Sequence, residues 1–365
     1  MIPIPPPPAP TAIPRLAVAL SAGQEPAAWR ARNAAGQVAS PWPYALNLLE
    51  RQFTLLPIVS DKLGPGRLAR LWLRSLTGFR NTPGNRETAE VEYSLSWDEH
   101  MALRSLALVN ARRYVSGLIW LSDDVATGTE RLRRLLFRSV LRELDGIFFS
   151  SRAQLEITRS WLRKSSIALE WIPMGVDPDF FPRYAYPASP FVFSMGSDKH
   201  RDPETLGRAL ALVLDRNPEA EILVQTNRPE AFPRGIETVE RLGGEDIRRN
   251  FERASVVVIA TLPNVHVSGI TVALEGMSSG RPIVMTANPG LDDYVREGES
   301  GFLTRPGDPE EFAARIAQIL ADPAMGERMG LSARHSVDST FNVTVMNDAI
   351  ARFIAGIPLD GPPRR

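Results

Sequence analysis

The chain has 365 residues, 42 basic against 42 acidic side chains, and no cysteine. Zero formal charge offers no electrostatic footprint for nucleic acid, and the lack of cysteine excludes disulfides, thiolate metal sites and cysteine nucleophiles. The length exceeds one ordinary core and predicts two domains of about 150 to 180 residues. No apolar run approaches the roughly 20 residues that span a bilayer, so a soluble, cytoplasmic protein is expected.

Residues 1–12 are proline-rich and are expected to form a disordered or polyproline-like tail. The apolar run that follows Arg15 is too short for a signal peptide and reads as a first strand. Strand candidates at 15–20, 53–59, 91–96, 114–121 and 146–150 alternate with polar or helical stretches, the pattern of a parallel sheet with helices on both faces. Polar residues gather at three strand ends: Ser21 to Gln24 around Gly23, Asp98 to His100, and Ser122, Asp123 and Asp124. Ligands bind at the carboxyl ends of strands in open α/β sheets, so these clusters are predicted to line one cleft. Arginine–leucine stretches at 67–76 and 131–138 have helical spacing and suit a surface helix or weak peripheral membrane contact.

Residues 171–190, rich in proline and aromatics, read as a linker. A second α/β set then runs strand 191–195, loop 196–202, helix 203–215, strand 221–225, helix 244–254 and strand 256–260, with a later helix at 310–321. The predicted division is a first domain at 13–185, a second at 186–340, and a C-terminal segment at 341–365 whose helix crosses back to the first domain.

The most informative segment is Val267 to Thr286. Ser268 reads as an N-cap, and free N–H groups of Gly269, Ile270 and Thr271 at the positive end of the helix dipole suit a diphosphate. Glu275, seven residues on, falls on the same helix face roughly 10 Å along the axis, the span from a diphosphate to a ribose. Gly280 stops the helix and 281–285 reads as a buried strand. Cap, helix, glycine stop and strand also describe any βαβ unit.

Further pieces stand beside this segment: Ile172-Pro-Met-Gly-Val-Asp177 with Phe181; Ser194-Met-Gly-Ser-Asp-Lys-His-Arg-Asp202; Ala273-Leu-Glu-Gly-Met277 with Gly280-Arg-Pro-Ile-Val284; and Glu297-Gly-Glu-Ser-Gly-Phe-Leu303 with Pro306-Gly-Asp308. In this order the chain resembles the retaining, nucleotide-sugar-dependent glycosyltransferases of the GT-B fold. The resemblance implies an α/β architecture of two Rossmann-like domains facing a central cleft. The implied activity moves a sugar from a nucleoside-diphosphate sugar to an acceptor hydroxyl, with no metal or other cofactor. Glu275 would then bind the donor ribose, and Gly196 would let the backbone approach the diphosphate. Lys199 and Arg201 would neutralise the charge that builds as the glycosidic bond breaks. Gly23 would match a glycine loop facing the phosphates, or be a plain turn glycine.

The chain departs from the family pattern in three places. Val267 stands where the family commonly has an acid, with His266 the nearest residue able to contact sugar or phosphate. Ser122, Asp123 and Asp124 stand where it usually has a histidine, and Ser197 where it usually has an arginine. Asp98 and His100 are candidate contacts to acceptor or sugar, and Ser122 and Asp123 are candidates on the acceptor side. The resemblance favours front-face attack, in which the donor phosphate takes the acceptor proton. A double displacement would need Asp98 or Asp123 as nucleophile. A sugar-nucleotide epimerase of the same fold and a non-catalytic sugar-nucleotide-binding partner protein are the alternatives.

Overall fold

The computed structural model describes residues 13–60, 64, 66, 69, 71, 73, 89–123, 137–138, 141–162 and 166–359. The proline-rich tail, Asp124 and most of the two arginine–leucine stretches lie outside them. The chain builds two six-stranded parallel sheets. The first contains β1 (Arg15–Ser21), β2 (Thr54–Ser60), β3 (Val91–Ser96), β4 (Ala111–Gly117), β5 (Gly146–Phe149) and β6 (Ala168–Trp171), in the order β2-β1-β3-β4-β5-β6. The second contains β7 (Phe191–Ser194), β8 (Glu221–Gln225), β9 (Glu237–Val239), β10 (Val256–Ile259), β11 (Ile283–Thr286) and β12 (Gly301–Thr304), in the order β12-β11-β10-β7-β8-β9. Strands β7, β10 and β11 are buried along their whole length, as a parallel sheet covered on both faces requires. The strand order reverses between β7 and β10, which makes that junction the topological switch point of the second sheet.

Helices α1 (Pro26–Ala34), α2 (Glu99–Leu108) and α3 (Arg152–Trp161) accompany the first sheet. Helices α4 (Pro203–Arg216), α5 (Gly244–Arg253), α6 (Ile270–Ser278), α7 (Pro309–Ala321) and α8 (Pro323–Ser339) accompany the second. Three of them open on Asp-Pro: the carboxylates of Asp202, Asp308 and Asp322 accept the N–H of Thr205, Glu311 and Met325, and proline supplies a preset φ at the first helical position. Among the described residues no helix is long and apolar enough to cross a membrane.

The two domains are joined at two crossings. Val176 bridges Asn342, whose side chain caps α9 (Val343–Ala355). Helix α9 buries Met346, Ile350, Ala351 and Ile354 in the core of the first sheet beside Leu16, Val18 and Leu20. The linker is held from below by Arg281, fully buried, whose guanidinium donates to the carbonyls of Phe251, Glu252 and Ala185. Burial lowers this guanidinium to about 10, with nearby Tyr186 and Glu252 opposing.

Tyr294 ties the domains at the bottom of the cleft. Its hydroxyl accepts from Met174 N at 2.9 Å and donates to the Ser150 carbonyl at 2.5 Å. Tyr294→Phe leaves both backbone groups without that partner, and is expected to lower unfolding free energy by about 1 to 3 kcal/mol. Urea denaturation of the two proteins checks it, and an unchanged midpoint would remove the tie from the account.

Candidate functional site

The loops after β7 and β10 meet over the switch point, and a cavity of about 290 Å³ lies between them and the first domain. Asp198, Lys199, His200 and Arg201 line it from one loop, and the run from His266 to Val272 from the other. Gly196 (φ +129) and Gly269 (φ +88) occupy backbone regions that favour glycine. A Cβ on Gly196 would fall on the Arg201 guanidinium, and one on Gly269 would come within 2.7 Å of Arg201 Nη1. The guanidinium therefore lies against two bare stretches of backbone.

Arg201 is paired with an acid of its own loop and still carries an unpartnered donor. Its Nε is 3.0 Å from Asp198 Oδ2, and its buried Nη1 has no hydrogen-bond partner among the described residues. Burial lowers the guanidinium pKa, and the charges of Asp198 and Glu275 oppose that shift. A desolvated cation with a donor to spare is poised for an anion. Lys199 is exposed on the same loop. Asp198, which sequence reasoning passed over, accepts from Ser268 Oγ at 3.0 Å and from His200 N at 2.9 Å, so it holds both loops together.

Ser268 is not the helix cap. Gly269 takes the N-cap position in the left-handed region, and α6 begins at Ile270 without a side-chain cap. The N–H of Ile270 is also not free, since it donates to Val267 O at 3.0 Å. The uncapped N-terminus of α6 still faces the cavity through Gly269 and Thr271. Glu275 lies one turn beyond Thr271 on the same helix face, outside the ring of residues that line the cavity. Desolvation pushes its carboxyl up to about 8 against the pull of Arg201, although the side chain keeps a window onto solvent.

Val267, at the position where an acid was expected, is buried with φ +52, an unusual region for a β-branched residue. The neighbouring His266 reaches across the cleft: its Nδ1 is 2.6 Å from Asp123 Oδ2, while Asp123 Oδ1 accepts from Val265 N at 2.9 Å. His200 joins them, with Nε2 3.8 Å from Asp123 and its ring edge-on to His266 at 4.4 Å. Burial raises the Asp123 carboxyl, but the His266 contact, the Val265 N–H and both histidines outweigh it and hold the pKa low. Burial and the neighbouring His266 lower that of His200. The three donor atoms lie within 4.8 Å of one another, close enough to suggest a metal centre. The 2.6 Å separation of His266 Nδ1 from Asp123 Oδ2, however, is shorter than the roughly 3.3 Å between ligands around a tetrahedral zinc ion with bonds of about 2.0 Å.

Other sequence candidates do not reach the cavity. Asp98 caps α2, accepting the N–H groups of His100 and Met101 at 2.8 and 2.9 Å. His100 packs against Trp120 and Phe137. Ser122 is buried and accepts from Gln154 Nε2 at 2.8 Å. Gly23 donates its N–H to Glu25 at 3.1 Å and does not line the cavity, so the turn-glycine reading applies. These groups are consumed by local hydrogen bonds or packing. The first domain's contribution comes instead from Tyr44, Trp97, Leu118, Trp120 and Phe148. Buried Glu99 fixes the last part of that wall by accepting the N–H groups of Ile119 and Trp120 at 3.0 and 2.9 Å.

Comparison with known proteins places this geometry. Residues 190–322 match the family described as "Glycosyl transferases group 1". A D-inositol 3-phosphate glycosyltransferase of Streptomyces griseus is 33% identical over 151 residues, 36% of this chain and 31% of that protein. The lipopolysaccharide core biosynthesis glycosyltransferase LpsE of Rhizobium meliloti is 30% identical over 116 residues, 32% of this chain and 34% of that protein. The chain thus spans about a third of the length of the curated relatives it matches. Sucrose-phosphate synthase of Thermosynechococcus elongatus superposes with a TM-score of 0.67 at 16% identity, over 94% of this chain and 98% of that one. HepE of Anabaena in complex with UDP-glucose superposes with a TM-score of 0.64 at 15% identity, over 93% and 98%. Residues 190–322 are thus similar to the group 1 glycosyltransferases, and the chain as a whole adopts the two-domain GT-B fold of its structural neighbours.

Proposed function

We propose that the chain transfers a sugar from a nucleoside-diphosphate sugar to an acceptor hydroxyl, with retention of anomeric configuration and without a metal ion. The observation that carries this reading is Arg201: a buried guanidinium with a donor to spare, laid against two glycines at the switch point beside an uncapped helix N-terminus. The leaving diphosphate gains charge in the transition state, and a cation fixed in advance stabilises that charge without reorganising. Lys199 adds a second, mobile charge from the same loop. Glu275 is assigned to the ribose diol, one turn farther along α6. The acceptor attacks from the face of the departing phosphate, which takes its proton.

One observation favours a second reading of the stereochemistry. A histidine with one ring nitrogen against a buried carboxylate can present the other as a base, and His266 on the cavity wall has its Nδ1 2.6 Å from Asp123 Oδ2. Used on the acceptor, such a base suits direct displacement and an inverted product.

The test begins with thermal unfolding in UDP and GDP, UDP first because the HepE structure holds UDP-glucose. A nucleotide at 100 times its Kd should stabilise the chain by about 2.7 kcal/mol. Turnover of the matching sugar donor should persist in excess EDTA, and NMR should show the donor's anomeric configuration in the product. No shift with any nucleoside diphosphate would sink the assignment. Loss of activity in EDTA restored by magnesium would remove the metal-free mechanism, and an inverted product would move the chemistry to His266.

A further inference from the structure

The cavity has two chemically different halves. The charged half belongs to the second domain. The half built by the first domain and α9 is apolar and aromatic, and its centre is a stack of two rings: Tyr44 and Trp97 lie with centroids 3.7 Å apart and planes 7° from parallel. Phe148 braces Trp97 edge-on at 5.9 Å, and Leu118, Met346 and Ile350 continue the wall.

The local backbone is unusual where it presents this stack. Tyr44 and Ala45 both have φ +56, the left-handed region that side chains rarely adopt, inside a 3₁₀ segment (Pro43–Arg51). Asn347 of α9 holds the turn by donating to the Tyr44 carbonyl at 3.1 Å. Strain of this kind persists only where surrounding contacts impose it, and here it accompanies Tyr44's position against Trp97 at the cavity. Gly117 lets the Trp97 backbone and the Phe148 ring pack closely here, because a Cβ there would collide with the Trp97 carbonyl and press on the Phe148 ring.

A phosphorylated polyol entering this half would shed its hydration against carbon. Among the described residues the first-domain wall and α9 contribute no cationic side chain to the cavity, and Ser150 and Tyr44 are its hydroxyls. A flat apolar ring would extend the existing stack by covering one outer face of the Tyr44–Trp97 pair. We propose, building on the transferase reading above, that the acceptor is an aryl alcohol whose ring stacks on the Tyr44–Trp97 pair and whose hydroxyl points toward the charged half. In the transfer, the bond between the anomeric carbon and the diphosphate oxygen breaks with its electron pair staying on that oxygen. The aryl oxygen forms the new bond to the anomeric carbon, and its proton passes to the departing diphosphate.

The test is calorimetric titration of the full chain, with and without saturating UDP, using three probes: 2-naphthol, D-myo-inositol 3-phosphate and an octyl alcohol. The expected result is saturable binding of 2-naphthol, weakened at least tenfold in Trp97→Ala, largely kept in Trp97→Phe, with UDP affinity the same in all three proteins. Thermal unfolding confirms that each variant folds, and Trp97→Phe keeps the test valid if Trp97→Ala does not. Preferential binding of the inositol phosphate or of the alkyl alcohol would overturn the proposal, as would naphthol binding indifferent to Trp97 in a folded variant. The UDP arm is read separately: failure there removes the donor assignment, whereas failure of naphthol with UDP intact removes the acceptor class alone.

Discussion

Arg201→Ala is expected to lower kcat by about 10² to 10³-fold while moving donor KM by less than tenfold, the loss typical of removing one preorganised donor to a developing anion. The guanidinium is packed against Gly196 and Gly269 with its Nε and Nη1 out of contact with solvent, so much of its desolvation precedes the donor's arrival. On the proposed function, what it gains in the transition state is the extra charge on the diphosphate, so the effect should fall on kcat. Arg201→Lys should not rescue the rate, because one ammonium cannot both meet Asp198 and reach the phosphate as a planar fork does. Lys199→Ala should have a smaller effect, since that side chain is exposed and screened. Steady-state kinetics with the sugar donor identified by thermal shift measures both variants. A folded Arg201→Ala protein with unchanged kcat would take the leaving-group role away from Arg201.

The second large effect is a pH dependence of stability that centres on Glu275. Its carboxyl has an ordinary value of 4.5 and is pushed to about 8 in the folded chain. Between those values the native state holds a proton that the unfolded state has lost, so stability falls as pH rises through the window and the penalty is complete above it. Glu275→Gln removes the titration while keeping the shape. The variant should unfold at nearly the same temperature as the parent at pH 4.5, and should gain on it steadily up to pH 8.5. The gain is on the order of 3 kcal/mol, reduced from the full linkage because water reaches the side chain. A ligand that supplies two hydroxyls to the ionised carboxylate would reverse part of the penalty, so Glu275→Gln should also lose donor affinity most clearly at pH 8. Melting curves that run parallel across this range would show that Glu275 is not desolvated.

Which segments of the second domain approach the cavity was largely legible in the chain itself. Gly196, Lys199 and Arg201 fall on one short loop and Gly269, Thr271 and Glu275 on a loop and the helix it opens, and helical spacing alone puts Thr271 and Glu275 on one face. Some misreadings had local remedies. Asp98 before a helical run is a cap signal as plain as Asp202, Asp308 or Asp322, and capping holds its carboxylate at the start of its own helix, away from the cavity. Helix α8 escaped notice for a different reason: Gly330 stands on the face that meets α6's end, where a Cβ would strike the Gly280 carbonyl, so close packing is written in small residues rather than in an apolar period.

The alternation of buried strands with capped helices already specified two parallel α/β units, because periodicity, caps and turn glycines act within a few residues of themselves. Tertiary structure alone decided which strand-end groups face the cleft. Asp123 and Ser122 are neighbours, yet one reaches His266 and His200 in the other domain while the other is spent on Gln154. The stack of Tyr44 on Trp97, held through Asn347 of the returning helix, likewise joins three remote segments. Contacts of this kind depend on how two domains close on each other, and no local spacing encodes that closure.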